Sequence, residues 1–269
     1  LLARHPLLIF LALAFGWSWG LALGGRALGG GAGERLLVAA QLGPSLAGLC
    51  AAWLWGGRAA LRALASRALY WRVEAYWYAF ALFGPILLWS VAFSYVAAVQ
   101  PHSPAEPAGF WSFLPVFALQ LALGGGLGQE LGWRGFLQAA LERRWSVVTA
   151  SLVIGAIWAV WSAPLFLLSG DGRAGIGSLA LSSGMCVAYS LIFARLLHET
   201  RGSVLVVALA HASAIAGETM WRAAVPALRD NSSVVLVYAA YLVGLALAAL
   251  FVRIGTDAGA GRIALRRLE

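Results

Sequence analysis

The sequence predicts an all-α polytopic membrane protein with about eight transmembrane helices. Three observations predict it. The 269 residues are 61% hydrophobic and 11% charged, whereas soluble domains average about 25% charged residues. The apolar residues fall into runs of the roughly 20 residues that a helix needs to cross a bilayer. The formal charge is +8 and all 19 basic residues are Arg, distributed unevenly between alternate loops as the positive-inside rule requires. The basic balance therefore reads as membrane topology, and no nucleic-acid partner is expected.

In chain order the expected spans are 6–23, 36–55, 76–99, 110–127, 146–168, 176–197, 203–220 and 233–252. The first follows Arg4 and His5 like a signal peptide, but its apolar run is too long and lacks a small-residue cleavage site, so it reads as a transmembrane helix. Pro44 in the second and Pro85 in the third predict kinks. The fourth ends in Gly124, Gly125, Gly126 and Gly128, where the backbone can approach a neighbour or break. No internal repeat stands out, which weakens a transporter built on inverted halves.

Eight spans put both termini on one side. That side carries thirteen Arg, including Arg4, Arg58, Arg62, Arg67, Arg72, Arg143, Arg144, Arg195 and Arg201, against five on the other, among them Arg173 and Arg229. Both termini are expected in the cytoplasm of a bacterial inner-membrane protein. The organisation expected is 1–105, N-terminal helices with a basic cytoplasmic loop; 106–255, a core with the chemistry; and 256–269, a basic tail. The stretch 56–75 is basic and interleaved with Leu61, Leu64, Leu69, Tyr70 and Trp71. It reads equally as an amphipathic helix on the membrane surface or as a plain cytoplasmic loop. Trp17, Trp53, Trp77, Trp111 and Trp145 lie near span ends, as in an interfacial aromatic belt rather than a ligand cage. Cys50 and Cys186 lie in apolar runs and read as buried, inert thiols.

Polar groups within spans are the candidates for chemistry. Glu130 and Arg134 are four residues apart, on one helical face, where carboxylate and guanidinium can pair. An ion pair at membrane depth is by default a functional hypothesis. Gln129, Ser162, His211, Ser213 and Glu218 complete the set. A lone membrane His such as His211 commonly bonds a neighbouring helix. Glu218 reads as lying near the non-cytoplasmic surface with Trp221 and Arg222. Gln41 and Gln120 also fall in spans, with nothing near them in sequence that suggests chemistry.

Three segments carry a resemblance. Gln-Glu-Leu-Gly-Trp-Arg-Gly-Phe-Leu (129–137), Trp-Ala-Val-Trp-Ser-Ala-Pro-Leu-Phe (158–166) and Gly-Ser-Val-Leu-Val-Val-Ala-Leu-Ala-His-Ala-Ser (202–213) resemble the motif regions of the CAAX-protease and bacteriocin-processing family of intramembrane endopeptidases. Gly-Pro-Ser-Leu-Ala-Gly-Leu (43–49) and the basic loop after it are similar too. The resemblance implies a first motif Glu-Glu-x-x-x-Arg, whose first Glu activates water while the second Glu and the Arg support it. It implies a second motif of an aromatic residue, three residues, then His. The third is His, three residues, then Asn or a similar polar residue. Here these positions hold Gln129, Glu130 and Arg134; Trp158 and Ser162; and His211 and Ile215.

Three of the four core positions are thus substituted, and only His211 remains, beside the Glu130–Arg134 pair. A Gln amide cannot take a proton from water. One His falls short of the three protein ligands of a catalytic zinc, so no cofactor is expected. A divalent metal is expected only if the family depends on one and the site has been rebuilt. Loss of an oxyanion donor alone costs about 2.7–4 kcal/mol in other hydrolases. The favoured expectation is a catalytically weak or inactive homologue that binds membrane lipid and a lipidated or membrane-spanning peptide. The alternative is an active endopeptidase with divergent chemistry, for instance Ser162 with His211 as base.

Overall fold

The structure, a computed structural model, describes residues 6–99, 106–168, 176–226 and 231–251. Arg4, Arg173, Arg229 and the tail 256–269 lie outside the described residues. Among the described residues the fold is all helical, as the composition predicts, with no strand. In order, the helices are α1 (Pro6–Leu28), α2 (Gly30–Ala40), α3 (Gly43–Ala68), α4 (Ala75–Val99), α5 (Pro107–Phe110), α6 (Phe113–Ala122) and α7 (Leu127–Glu130). A π-helical segment, Leu131–Gln138, follows, then α8 (Ala139–Leu141), α9 (Val147–Leu167), α10 (Ile176–Glu199), α11 (Val204–Ala224) and α12 (Asn231–Phe251).

Eight full spans are not what forms. Among the described residues α1, α4, α9, α10 and α11 are long and apolar enough to cross a bilayer, and α2 with α3 makes a sixth span if the pair, bent by 42°, is counted as one. Ser232–Ala248 of α12 is apolar but shorter. The expected fourth span, 110–127, breaks into α5, α6 and the start of α7. The 10 residues of α6 reach only about 15 Å at 1.5 Å per residue, half a hydrocarbon core. The glycines cause the break: Gly126 N–H bonds the Gln120 carbonyl at 2.8 Å, and Gly125 N–H bonds Gln120 Oε1 at 3.0 Å. The Pro44 kink is a bend just ahead of it, between α2 and α3, while Pro85 sits inside an unbroken α4.

Helix α11 is the central post, with 67% of its apolar stretch buried. It packs on α4, α6 and α10, while α10 packs on α9 and α12, and α1 on α3. Trp133, Trp161 and Phe10 are fully enclosed and lock α1 to the centre, with Phe10–Trp133 and Trp133–Trp161 ring centroids 5.5 and 5.7 Å apart. Ser146 and Ser203 cap α9 and α11, accepting from the Thr149 and Val206 amides, the role that starts a helix most favourably.

The segment 43–49 finds its reason in a helix crossing. Backbone meets backbone where α3 crosses the π-helical segment, and a methyl group on Gly132 would overlap the Pro44 carbonyl. Only glycine permits that approach. The stretch after α3's apolar half is helical to Ala68, beyond a break at Gly57 (φ 58°). It docks on the protein: Leu64 is buried against Gly135, and Arg67 donates to the carbonyls of Gly135 (3.0 Å) and Arg134 (3.2 Å). Arg201–Glu74 at 3.1 Å and Ser203 Oγ–Tyr70 O at 2.6 Å bring further basic loops to this same end.

Candidate functional site

Helix α7 delivers Glu130 into the centre, and the π-helical turn after it carries Arg134; such turns recur at functional sites. Both side chains are fully buried. Glu130 Oε2 lies 3.4 Å from Arg134 Nη1, the pair that the spacing predicts. Its other oxygen has a second partner that spacing alone does not reveal: His211 Nδ1 of α11, at 2.6 Å. A carboxylate beside a guanidinium accepts rather than donates, so His211 donates from Nδ1. Nε2 is left for the cavity, the orientation that a carboxylate imposes on a catalytic imidazole.

Arg134 sits between two rings, 5.3 Å from the Trp158 centroid and 5.2 Å from Phe193. Its guanidinium nitrogens make no hydrogen bond, so ring faces and the Glu130 charge are what stabilise it. Trp158 also meets His211 edge-on at 5.0 Å. The aromatic position of the second motif thus touches both partners of Glu130.

His211 and Trp158 border a cavity of about 290 Å³, with Glu130 and Arg134 behind them. Gln129, Ser162, His211 and Ile215 all line it, so the structure brings the motif positions together. Gln129 points its amide at Gln41 Oε1, 2.5 Å away at the α2–α3 break. Ser162 Oγ donates to the Ala159 carbonyl at 3.1 Å, with Cys186 Sγ at 3.9 Å. A Ser–His contact therefore does not form: the hydroxyl serves its own helix. Ile215 and His211 Nε2 close over Gly125, where a methyl group would come within 2.6 Å of either.

The structure adds to several expectations from the sequence. Gln41 and Gln120 do have polar company: both line the cavity, one tied to Gln129 and the other capping the Gly125 turn. Glu218 also lines the cavity, accepting from the Tyr238 hydroxyl at 2.6 Å, a partner that the sequence does not announce. Cys186 is buried as expected, beside Ser162 at the cavity, whereas Cys50 is exposed. Trp17, Trp53, Trp111 and Trp145 are exposed, as a belt requires, yet Trp89, Trp158 and Trp161 wall the cavity. Polar residues embedded in apolar runs are the available signal for Gln41 and Gln120. Nothing in the sequence announces Phe193, whose role comes from a fold that lays α10 against Arg134.

Among the described residues no group of three or more His, Cys, Asp or Glu is placed to hold a metal ion, and both Glu130 oxygens already face a partner.

Residues 110–217 match the type II CAAX prenyl endopeptidase Rce1-like family. A CAAX prenyl protease 2 of Methanococcus maripaludis is 37% identical over 57 residues, 21% of this chain. That match spans 20% of the relative's length.

Proposed function

We infer a function for this chain as a member of the CAAX-protease and bacteriocin-processing family, to which its Rce1-like residues 110–217 assign it. It is a pseudoprotease that holds a lipidated or membrane-spanning peptide in the central cavity without hydrolysing it. The Gln129–Gln41 pair carries this reading. Where the resemblance implies the water-activating carboxylate, there is an amide tied to a second amide. Neither takes a proton at neutral pH, so no water is activated there. Ser162 and Ile215 supply neither an imidazole nor an oxyanion donor.

What the site retains suits binding. The cavity approaches the lower end of the ~300–1,000 Å³ typical of ligand sites, and aromatic walls with a few placed polar groups are their usual lining. Trp89, Trp158, Trp161 and Phe166 are such walls, with Gln129 and His211 as polar points. The function uses no metal or other cofactor and no nucleic acid; its partners are membrane lipid and peptide. The Arg-rich end faces the cytoplasm of a bacterial inner membrane, with both termini on that side, by the Arg bias of the sequence.

The test is a farnesylated CAAX peptide with the purified chain in detergent, scored for binding and cleavage. Saturable binding without cleavage, and cleavage gained by the triple variant Gln129→Glu, Ser162→His, Ile215→Asn, is the expected result. A specific contact favours one other reading, an active endopeptidase. With Glu130 behind Nδ1, His211 Nε2 can accept a proton from water whose oxygen attacks the peptide carbonyl; the C–N bond then breaks as the amine takes that proton. Native cleavage abolished by both His211→Ala and Glu130→Gln would establish that reading and overturn the first.

A further inference from the structure

A second cavity, of about 200 Å³, shares no lining residue with the site. Ala52, Ala60 and Leu64 of α3 form one wall, and Gly135 and Ala139 the other. Small side chains along both walls, with the Trp55 and Phe136 rings beside them, leave an apolar slot. It straddles Gly57, where α3 breaks and the sequence changes from Leu-Cys-Ala-Ala-Trp-Leu-Trp to the Arg-bearing helix that follows. Such a change from apolar, Trp-bearing sequence to Arg-bearing sequence is the pattern of a border between hydrocarbon and headgroups.

Its mouth is positive. Arg143 lines it, exposed, with its guanidinium 5.0 Å from the Trp55 ring. Among the described residues Arg143 has no carboxylate partner. The adjacent Glu142 turns away, to His198 at 3.0 Å and to Gln138 at 2.5 Å. A fixed cation above an apolar slot at this depth complements one common molecule: a lipid with an anionic headgroup and an acyl chain.

We propose that this slot is a binding site for an anionic phospholipid, one acyl chain between α3 and the π-helical segment and its phosphate on Arg143. The ligand would brace Gly135, whose carbonyl already accepts from Arg67 and which directly follows Arg134. The site is separate from the peptide cavity and does not depend on its function.

Native mass spectrometry of the full chain, released from detergent containing equimolar phosphatidylglycerol and phosphatidylcholine, tests this. Wild type should retain phosphatidylglycerol about fivefold over phosphatidylcholine, the ratio that ~1 kcal/mol per basic residue near an anionic surface gives. Arg143→Gln, at an exposed position, should fold normally and bring the ratio near unity. Ala60→Phe should fill the slot and remove the adducts; if that variant does not fold, Arg143→Gln decides alone. An unchanged ratio in Arg143→Gln, undiminished adducts in folded Ala60→Phe, or no preference in wild type overturns the proposal. So does farnesol displacing phosphatidylglycerol from an equimolar mixture, which would make the slot a prenyl site.

Discussion

Two Glu–His pairs flank the π-helical segment, and their surroundings differ. Glu130–His211 is closed at 2.6 Å, with exposures of 0% and 5%. Glu142–His198 is chelated, with Nε2 at 3.0 and 3.1 Å from the two carboxylate oxygens. The first borders a cavity of about 290 Å³, the second only one of about 10 Å³. In the first, the carboxylate bridges a cation and an imidazole, leaving Nε2 toward open space. In the second, the ring nitrogen is used up by the carboxylate, and Gln138 fills what remains. The residue types are identical; access to a cavity separates a candidate site from a brace between α10 and the end of the π-helical segment.

The strongest way to break the contrast is Arg134→Ala. It leaves the Glu130 carboxylate buried without its cation, and loss of one partner of a buried pair costs about 3–5 kcal/mol. His211→Ala keeps the Glu130–Arg134 pair and should cost less, about 1–3 kcal/mol. Thermal unfolding of both variants in the same detergent measures this, and equal losses would sink the ranking.

Next is Gly125→Ala. The added methyl meets His211 Nε2 and Ile215 at 2.6 Å, so an overpacking cost of about 1–3 kcal/mol is expected. Peptide affinity should fall about tenfold or more, equivalent to ~1.4 kcal/mol. Unchanged affinity by peptide titration would mean that the peptide does not use this wall.

The smallest effect belongs to the brace. Glu142→Gln should cost about 1 kcal/mol of stability and leave peptide binding as in wild type. A binding defect as large as that of Gly125→Ala would erase the distinction between the pairs.

Much of the site is legible in the sequence because its residues are costly where they stand. A carboxylate, a guanidinium and an imidazole inside apolar runs stand out in any membrane protein, so Glu130, Arg134 and His211 can be picked out from the amino-acid order alone. Their partners cannot. Glu130 and His211 are 81 residues apart, and no periodicity links them. Gln41 and Gln129 are 88 apart, and each alone looks like an isolated amide. Glu218 likewise has a partner, Tyr238 of α12, and a cavity wall that α11 alone does not reveal.

Composition alone determined that this chain is helical and lives in a membrane, because hydrocarbon forces every backbone group into an internal hydrogen bond. Local spacing also determined the Glu130–Arg134 pair, since four residues on a helix meet whatever surrounds them. Only the tertiary structure decided where a helix would stop short of spanning. Glycines permit a break, but the Gln120 side chain and the Gly126 amide close it. It also decided which of two like pairs faces open space. That depends on α10 and α11 packing around the π-helical segment, and such long-range packing leaves no periodic mark in the sequence.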